Sequence, residues 1–279
     1  MYRIWVPVLL ILSLAACKEQ AEEPPAAAQA TQEAADAVEY NLPDTAELDY
    51  HAMAVHHADR PEVDKERDLQ RKPEEVMAFA GLQPGMAVLD LFAGGGWYTE
   101  LQSRVVGEKG QVWMHNPPQY YERVGEDAVL ERLANNRLPN VVRHDRPVDA
   151  LELPEARFDF VVAGMVFHDL YWMAEDVGAV LRQLHAALKP GGGVLITDHA
   201  APEGTGAEYA LQREGGPHRI EEAFVIAEME AAGFRLAASS DVLRVPEDDR
   251  SKPFYQMEGA FTDRFVLLFR KPEEQGPEG

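Results

Sequence analysis

The chain has 279 residues, with 48 acidic and 26 basic side chains that give a formal net charge of −22. The basic residues are scattered along the sequence, so the composition excludes nucleic acid as an expected partner. The sequence has one cysteine, which excludes an internal disulfide and a zinc–thiolate site.

The N-terminal segment resembles an export signal rather than a part of the fold. Arg3 precedes an apolar run over residues 4–14, which is too short to span a bilayer as a stop-transfer helix. The following Leu14-Ala15-Ala16-Cys17 has the small-residue pattern of a bacterial lipoprotein signal. We therefore expect a signal peptide over residues 1–17, a lipid anchor on Cys17 and a periplasm-facing protein in the cell envelope. An ordinary signal peptide, an uncleaved anchor and a cytoplasmic location are the alternatives.

Composition divides the remaining chain into three parts. Residues 18–45 are rich in Ala, Glu and Pro and poor in large apolar side chains, so they cannot offset their ordering entropy and predict a disordered tether. Residues 46–272 have the length of one α/β domain. Residues 273–279 predict a disordered acidic tail.

Strand and helix patterns alternate within the predicted domain. A charged helical segment over residues 59–73 leads into it, and the Lys-Pro-Gly-Gly-Gly run at 189–193 predicts a turn. Strands are predicted at 86–91, 110–115, 140–144, 158–163, 193–197, 236–242 and 265–270, and helices at 73–80, 97–106, 118–134, 177–188 and 220–232. This order is typical of parallel sheets. It predicts a single α/β domain with a Rossmann-like, doubly wound, mostly parallel seven-stranded sheet and helices on both faces.

The most specific motif follows the first predicted strand. Asp90 ends that strand, and Gly94-Gly95-Gly96 then allow a sharp turn and a close approach to a ligand before the next helix. This arrangement builds nucleotide sites in doubly wound folds. A dinucleotide fingerprint requires a third glycine at Thr99, and no P-loop lysine follows. The turn thus predicts a site for an adenosine-type small molecule.

These segments together resemble the class I S-adenosylmethionine-dependent methyltransferases. The Asp90–Gly96 run resembles the first motif of that family, with Phe92 where the family usually has its first glycine. The strand at 158–163 and the glycine run at 188–193 resemble the fourth strand and the turn before the fifth. The resemblance covers residues 73–200, and its motif through Thr99 is similar to a bacterial subgroup without an assigned substrate. It implies methyl transfer from S-adenosylmethionine to an unknown small-molecule acceptor.

The resemblance also implies which residues bind the cofactor. The turn would pack against the methionine part, Asp90 would hold the amino group, and Asn116 stands where the family has an acid for the ribose hydroxyls. Asp149 matches the acid near the adenine amine, with a turn or capping role as the alternative. The implied cofactor-binding residues are Asp90, Phe92, Gly94, Gly95, Gly96, Asn116 and Asp149.

Polar pairs follow the fourth and fifth predicted strands. Because these strands are neighbours in this topology, we expect the pairs to face one cleft. A histidine there could remove the acceptor's proton near neutral pH. The candidate catalytic residues are His168, Asp169 and His199, and the candidate substrate contacts are Asp198, His218 and Arg219. Binding of a divalent metal, or a structural role at a polar rim, are the alternatives, and no residue is assigned as a metal ligand.

Three functional hypotheses follow from these patterns. The first is an enzyme, a methyltransferase acting on a small molecule. The second is a lipoprotein that keeps this fold as a non-catalytic binding module. The third is a metal-dependent activity on the His/Asp cluster. S-adenosylmethionine is kept in the cytoplasm, so export of the domain would favour the second hypothesis over the first.

Overall fold

The structure is a computed structural model, of which residues 49–212, 215–257 and 261–273 are described. The predicted signal peptide, the lipid anchor on Cys17, the tether and most of the acidic tail lie outside these residues, so the domain boundaries stay predictions. Within the described ranges, no helix is both long enough and apolar enough to cross a membrane.

The core of the structure is a seven-stranded sheet with the order β3-β2-β1-β4-β5-β7-β6. Strands β1 to β5 pair in parallel, whereas β7 pairs antiparallel with both β5 and β6. The strands are β1 Ala87–Asp90, β2 Gln111–His115, β3 Val141–His144, β4 Phe158–Gly164, β5 Leu188–His199, β6 Arg235–Ser240 and β7 Arg264–Arg270. The predicted fold class is thereby confirmed.

Helices cover both faces of this sheet. Neighbouring residues of a strand point to opposite faces of the sheet. Leu89 therefore packs in one apolar cluster with the helices over 177–187 and 222–231, whereas Val88 packs in a second cluster with the helices over 73–80 and 97–106. The helices are α1 Tyr50–Val55, α2 Glu62–Arg71, α3 Pro73–Ala80, α4 Trp97–Val106, α5 Pro118–Val124, α6 Asp127–Leu133, α7 Leu170–Met173, α8 Val177–Ala187, α9 Glu208–Leu211 and α10 Glu222–Ala231.

Two sequence-based expectations about element boundaries are wrong. The helix predicted over 118–134 is divided at Gly125, whose φ of 76° ends α5. The predicted turn at 189–193 is part of β5, which begins at Leu188 opposite Phe158. A register shift follows, and Gly193 then pairs with Phe160, whose ring leaves no space for a Cβ at that position. The glycine run therefore permits a bulge in a strand rather than a turn.

The charged lead-in predicted as helical forms α2, and it is joined to the sheet layer by buried ion pairs. Arg132 of α6 contacts both Asp64 of α2 and Glu100 of α4. Glu100 is fully buried and also accepts from Arg104 at 2.6 Å and Arg137 at 2.7 Å. Burial raises the pKa of Glu100, but the hydrogen bonds from the arginines outweigh it and lower the pKa to about 2.

We predict that Glu100→Gln destabilises the fold by about 3–5 kcal/mol, because it leaves buried arginine charge without its partner. The measurement is urea unfolding of the variant beside the wild type. Glu108→Gln, on the exposed loop after α4, is the matched control and should change the free energy of unfolding little. Equal effects of the two substitutions would contradict the role given to the buried network.

Candidate active site

The turn between β1 and α4 has backbone conformations that residues other than glycine rarely adopt. Phe92, Gly94 and Gly96 have φ values of 51°, 57° and 80°. A Cβ on Gly96 would lie 3.0 Å from the terminal methyl group of Met114, so the turn packs tightly on β2 there. At Gly94, a Cβ would come only within 3.9 Å of Tyr120. The backbone of the turn is thus covered by neighbouring side chains at Gly96, whereas at Gly94 there is room for a ligand atom.

Asn116, the residue after β2, fixes this turn. Its Oδ1 accepts from the Gly94 N–H at 2.8 Å, and its Nδ2 donates to the Gly94 carbonyl at 3.0 Å. An aspartate could accept the first hydrogen bond but could not donate the second. Asn116, at the position where the resemblance implies an acid, therefore engages the glycine turn with both of its polar side-chain atoms. The predicted ribose contact of Asn116 stays a prediction.

Phe92 places an aromatic ring beneath the turn. The ring is buried and stacks on His115 at a centroid distance of 5.5 Å and on Tyr120 at 6.4 Å. Burial lowers the pKa of His115 to about 4, so this imidazole is neutral at physiological pH. The three rings form an apolar wall in the space that a glycine at position 92 would leave open.

Asp90, at the end of β1, faces the first turn of α4. Its Oδ2 accepts from the Thr99 hydroxyl at 2.5 Å, and the side chain is buried. Burial raises the pKa of Asp90 to about 7, although the hydrogen bond from Thr99 lowers it. Asp90 therefore changes its charge near neutral pH, within the segment that the resemblance assigns to the cofactor.

Asp149 lies in a short 3-10 turn over Val148–Ala150 and is exposed. Its Oδ1 accepts from the backbone N–H of Glu175 at 2.9 Å, just before α8. This contact holds the loop before α8, and a turn or capping role was the alternative that the sequence left open. A contact with the adenine amine stays a prediction.

The two polar pairs lie together at the carboxyl ends of β4 and β5, because these strands are paired in parallel. Asp198 and His199 are the last two residues of β5, which extends beyond the predicted strand end at residue 197. His168 Nδ1 lies 2.8 Å from Asp198 Oδ1, and the backbone N–H groups of His168 and His199 both donate to the same carboxylate at 2.8 Å. Asp198 is fully buried. It therefore orients His168 and joins the two strand ends, and the predicted direct substrate contact of Asp198 is not supported by this geometry.

The charge of His168 differs from the one that a general base requires. Burial lowers its pKa, but the carboxylates of Asp198 and Asp169 outweigh burial and raise the pKa to about 9. The imidazole is then protonated at neutral pH and has no free lone pair. The base role expected of His168 does not agree with this charge, and the side chain instead supplies a cation held between two carboxylates.

His199 has the opposite charge state. Burial and the nearby positive charge of Arg264 hold its pKa well below the usual value, so it is neutral. Its Nδ1 lies 2.6 Å from the Thr262 hydroxyl, which accepts from Arg264 Nε at 3.1 Å. His199 is thus a neutral imidazole whose Nδ1 is engaged by the Thr262 hydroxyl.

Two further candidates have different surroundings. His218 lies beside His168 with ring centroids 5.7 Å apart and joins the cluster as expected. Arg219 is fully buried and donates to both carboxylate oxygens of Asp248, at 2.8 and 3.2 Å. Its other hydrogen bonds go to the carbonyls of Ala200 and Lys252. These contacts give Arg219 a structural role, and the predicted substrate contact is not supported.

Sequence reasoning missed two residues at this edge. Thr262 lies just before β7, and Phe254, in a 3-10 turn over Phe254–Gln256, stacks on His199 with centroids 4.8 Å apart. No local motif marks either residue. For Thr262 the available signal is topological, because an antiparallel strand beside β5 must begin where β5 ends.

Comparison with known proteins agrees with this geometry. A family model described as a methyltransferase domain matches residues 64–239, more than half of the chain. The ubiquinone/menaquinone biosynthesis C-methyltransferase UbiE of Shewanella sp. strain ANA-3 is 32% identical over 124 residues, which cover 44% of this chain and 47% of that relative. The chain thus matches about half the length of this relative.

Solved structures share the fold. A SAM-dependent methyltransferase from Aquifex aeolicus superposes with a TM-score of 0.56 at 24% identity, covering 75% of this chain and 95% of that chain. The [4+2]-cyclase SpnF superposes with a TM-score of 0.53 at 20% identity, covering 75% and 81%. At these identities the likeness establishes the fold alone, and the fold hosts more than one chemistry.

The raised pKa of Asp90 predicts a pH-dependent stability. The pKa of Asp90 is about 7 in the folded chain, whereas the ordinary pKa of an aspartate, which applies to the unfolded chain, is 3.8. The stabilising contribution is therefore present below the lower value and is lost as the pH rises through 7. The wild type should therefore lose about 2 kcal/mol of unfolding free energy between pH 5 and pH 8 that Asp90→Asn, which has no titrating group there, does not lose.

Denaturant unfolding at both pH values measures this difference. Asp127→Asn, on an exposed position of α6, is the control, and its effect should be the same at the two pH values. A pH-independent effect of Asp90→Asn would show that the carboxyl group is ionised throughout the range.

Proposed function

This chain belongs to the methyltransferase-domain family, and from that premise we propose that it transfers a methyl group from S-adenosylmethionine to a small-molecule acceptor. The observation that carries the proposal is the glycine turn at the carboxyl end of β1, where doubly wound folds bind their nucleotide ligands. When bound, S-adenosylmethionine supplies an electrophilic methyl group on a sulfonium centre.

The turn fits the cofactor at its glycines. Gly94 has a positive φ. If this residue carried a Cβ, the nearest side-chain atoms, those of Tyr120, would lie 3.9 Å from it. A ligand can therefore approach the backbone where a side chain would stand. Asn116 keeps Gly94 in this conformation before the ligand arrives, which reduces the ordering cost of binding. Gly94, Gly95 and Gly96 would hold the methionine part.

The ribose side fits less well than in the family pattern. Asn116 stands in place of the acid, and its amide lacks the charge-assisted hydrogen bond that a carboxylate makes to a hydroxyl. Phe92 narrows the space beneath the turn. We therefore expect weaker binding of the cofactor than a carboxylate at position 116 would give.

The acceptor side is formed by the polar cluster at the carboxyl ends of β4 and β5. His168 is 4% exposed and His199 is 5% exposed, so only a small group can reach their nitrogen atoms. A protonated His168 favours an acceptor that carries oxygen atoms or negative charge. These side chains would orient the acceptor, and transfer would rest on proximity and alignment rather than on His168 as a base. The name of the Shewanella relative, which describes methylation in quinone biosynthesis, also supports a small-molecule acceptor.

We predict that the full chain binds S-adenosylmethionine and S-adenosylhomocysteine with sub-millimolar dissociation constants in calorimetric titrations. Gly94→Ala should weaken both by about tenfold, because the added methyl group takes the space of the ligand (about 1.4 kcal/mol). Gly81→Ala is the matched control. It places the same methyl group at a φ of 74° with no atom within 4 Å, on a glycine that ends α3.

Transfer itself is measured with cofactor labelled on the methyl group and a protein-free extract of bacterial metabolites. The label should move into a small molecule with wild-type protein and more slowly with Gly94→Ala. Failure of both ligands to bind would contradict the proposal. Binding without transfer would favour the second candidate, a non-catalytic binding module, which the departures at Phe92 and Asn116 support.

We also propose that the chain is exported and anchored in the bacterial envelope through a lipid on Cys17. The support is the Leu14-Ala15-Ala16-Cys17 pattern of the sequence. Cell fractionation should recover the wild type with membranes, whereas Cys17→Ala should lose the lipid and leave that fraction or remain unprocessed. A soluble wild-type product would contradict the anchor.

A further inference from the structure

Three side chains in and next to the polar cluster bring together atoms that can bind a metal ion. One ligand atom each of His168, Asp169 and His218 lies within 4.8 Å of the others. His168 and Asp169 follow β4 and are buried, and His218 is half-buried in the loop between α9 and α10. Residues far apart in the sequence thus present two imidazoles and one carboxylate to a common point.

The orientation of His168 is the one that metal-ligating histidines have. Its Nδ1 is engaged by Asp198 at 2.8 Å, which leaves Nε2 directed to Asp169, whose Oδ1 lies 3.3 Å away. A carboxylate on the far nitrogen fixes the tautomer and the ring of a ligating histidine. The metal would take the place of the proton that Nε2 of His168 carries in the metal-free protein, so binding would release that proton. Asp169 is itself oriented, because its Oδ1 accepts from Trp172 Nε1 at 2.9 Å.

His218 has a strained backbone conformation. Its φ of 53° lies in the left-handed region, which a non-glycine residue adopts only where the surroundings enforce it. The ring packs edge-on against Phe254 at 5.9 Å and Tyr255 at 6.2 Å. The ring of His218 lies with its centroid 5.7 Å from that of His168, and a ligand atom of His218 lies within 4.8 Å of those of His168 and Asp169.

We propose that His168, Asp169 and His218 bind a divalent first-row transition metal. Two imidazoles and a carboxylate are the donor set of catalytic zinc sites and of non-haem iron sites. Three protein ligands leave at least one coordination position open, for water or for an oxygen atom of the acceptor. Asp198 is a positioning residue in this site, whereas His199 lies apart, with ring centroids 6.2 Å from His168. The proposal does not require methyl transfer.

The test is a calorimetric titration of the metal-stripped full chain, produced without a histidine tag, with Zn²⁺ alone. One ion should bind per chain. His218→Gln and Asp169→Asn should each weaken binding by about tenfold or more, because each removes a ligand. His185→Gln is the matched control. His185 is also half-buried and packs against an aromatic ring, that of Phe234, but lies on α8, and its loss should leave Zn²⁺ binding unchanged.

Zn²⁺ binding that survives both ligand substitutions, or no binding by the wild type, would overturn the proposal. Circular dichroism verifies that each variant folds. X-ray absorption of the zinc-loaded wild type decides the question without any variant. Two imidazole ligands with oxygen ligands are expected, and a shell without imidazole or with sulfur contradicts the site. Titration of the same preparations with S-adenosylhomocysteine separates a failure of this site from a failure of the proposed methyltransferase.

Discussion

The parallel pairing of β4 with β1 on one side and β5 on the other is the constraint on which the rest of the structure depends. Asp90 is in register with Val162, and Gly164 is in register with Thr197. The three strands therefore end at one edge. The glycine turn after β1 and the histidine cluster at the carboxyl ends of β4 and β5 face the same side of the molecule only because of this pairing.

Buried polar side chains at this edge hold the backbone before they meet any ligand. Asn116 closes a pair of hydrogen bonds with Gly94, and Asp198 joins the ends of β4 and β5 through His168. Each group is fully buried, so leaving it without a partner would cost more than the hydrogen bonds return. Pre-organisation of this kind suits an enzyme that works by alignment, since a loosely held turn or cluster would lose much of the rate.

The sequence predicted the parts of the site that depend on local patterns. The buried strand ending at Asp90 and the glycines after it were sufficient to place a nucleotide-type turn, and the apolar runs of β4 and β5 placed their polar residues at one edge. Sequence could not predict what depends on long-range contacts. Thr262 lies 63 residues from its partner His199, and the charge of His168 follows from two carboxylates whose effect on its pKa outweighs that of burial. The glycine run after Leu188 was predicted as a turn, because its own pattern does not reveal that pairing with β4 makes it a bulge within a strand.

The most direct test of the central claim, that the turn from Asp90 to Gly96 binds S-adenosylmethionine, is a crystal structure of the chain with S-adenosylhomocysteine. We expect ligand density whose methionine part lies against Gly94, with Asn116 still bonded to that glycine. Density for the ligand elsewhere, or an empty turn in crystals grown at saturating ligand, would contradict the claim.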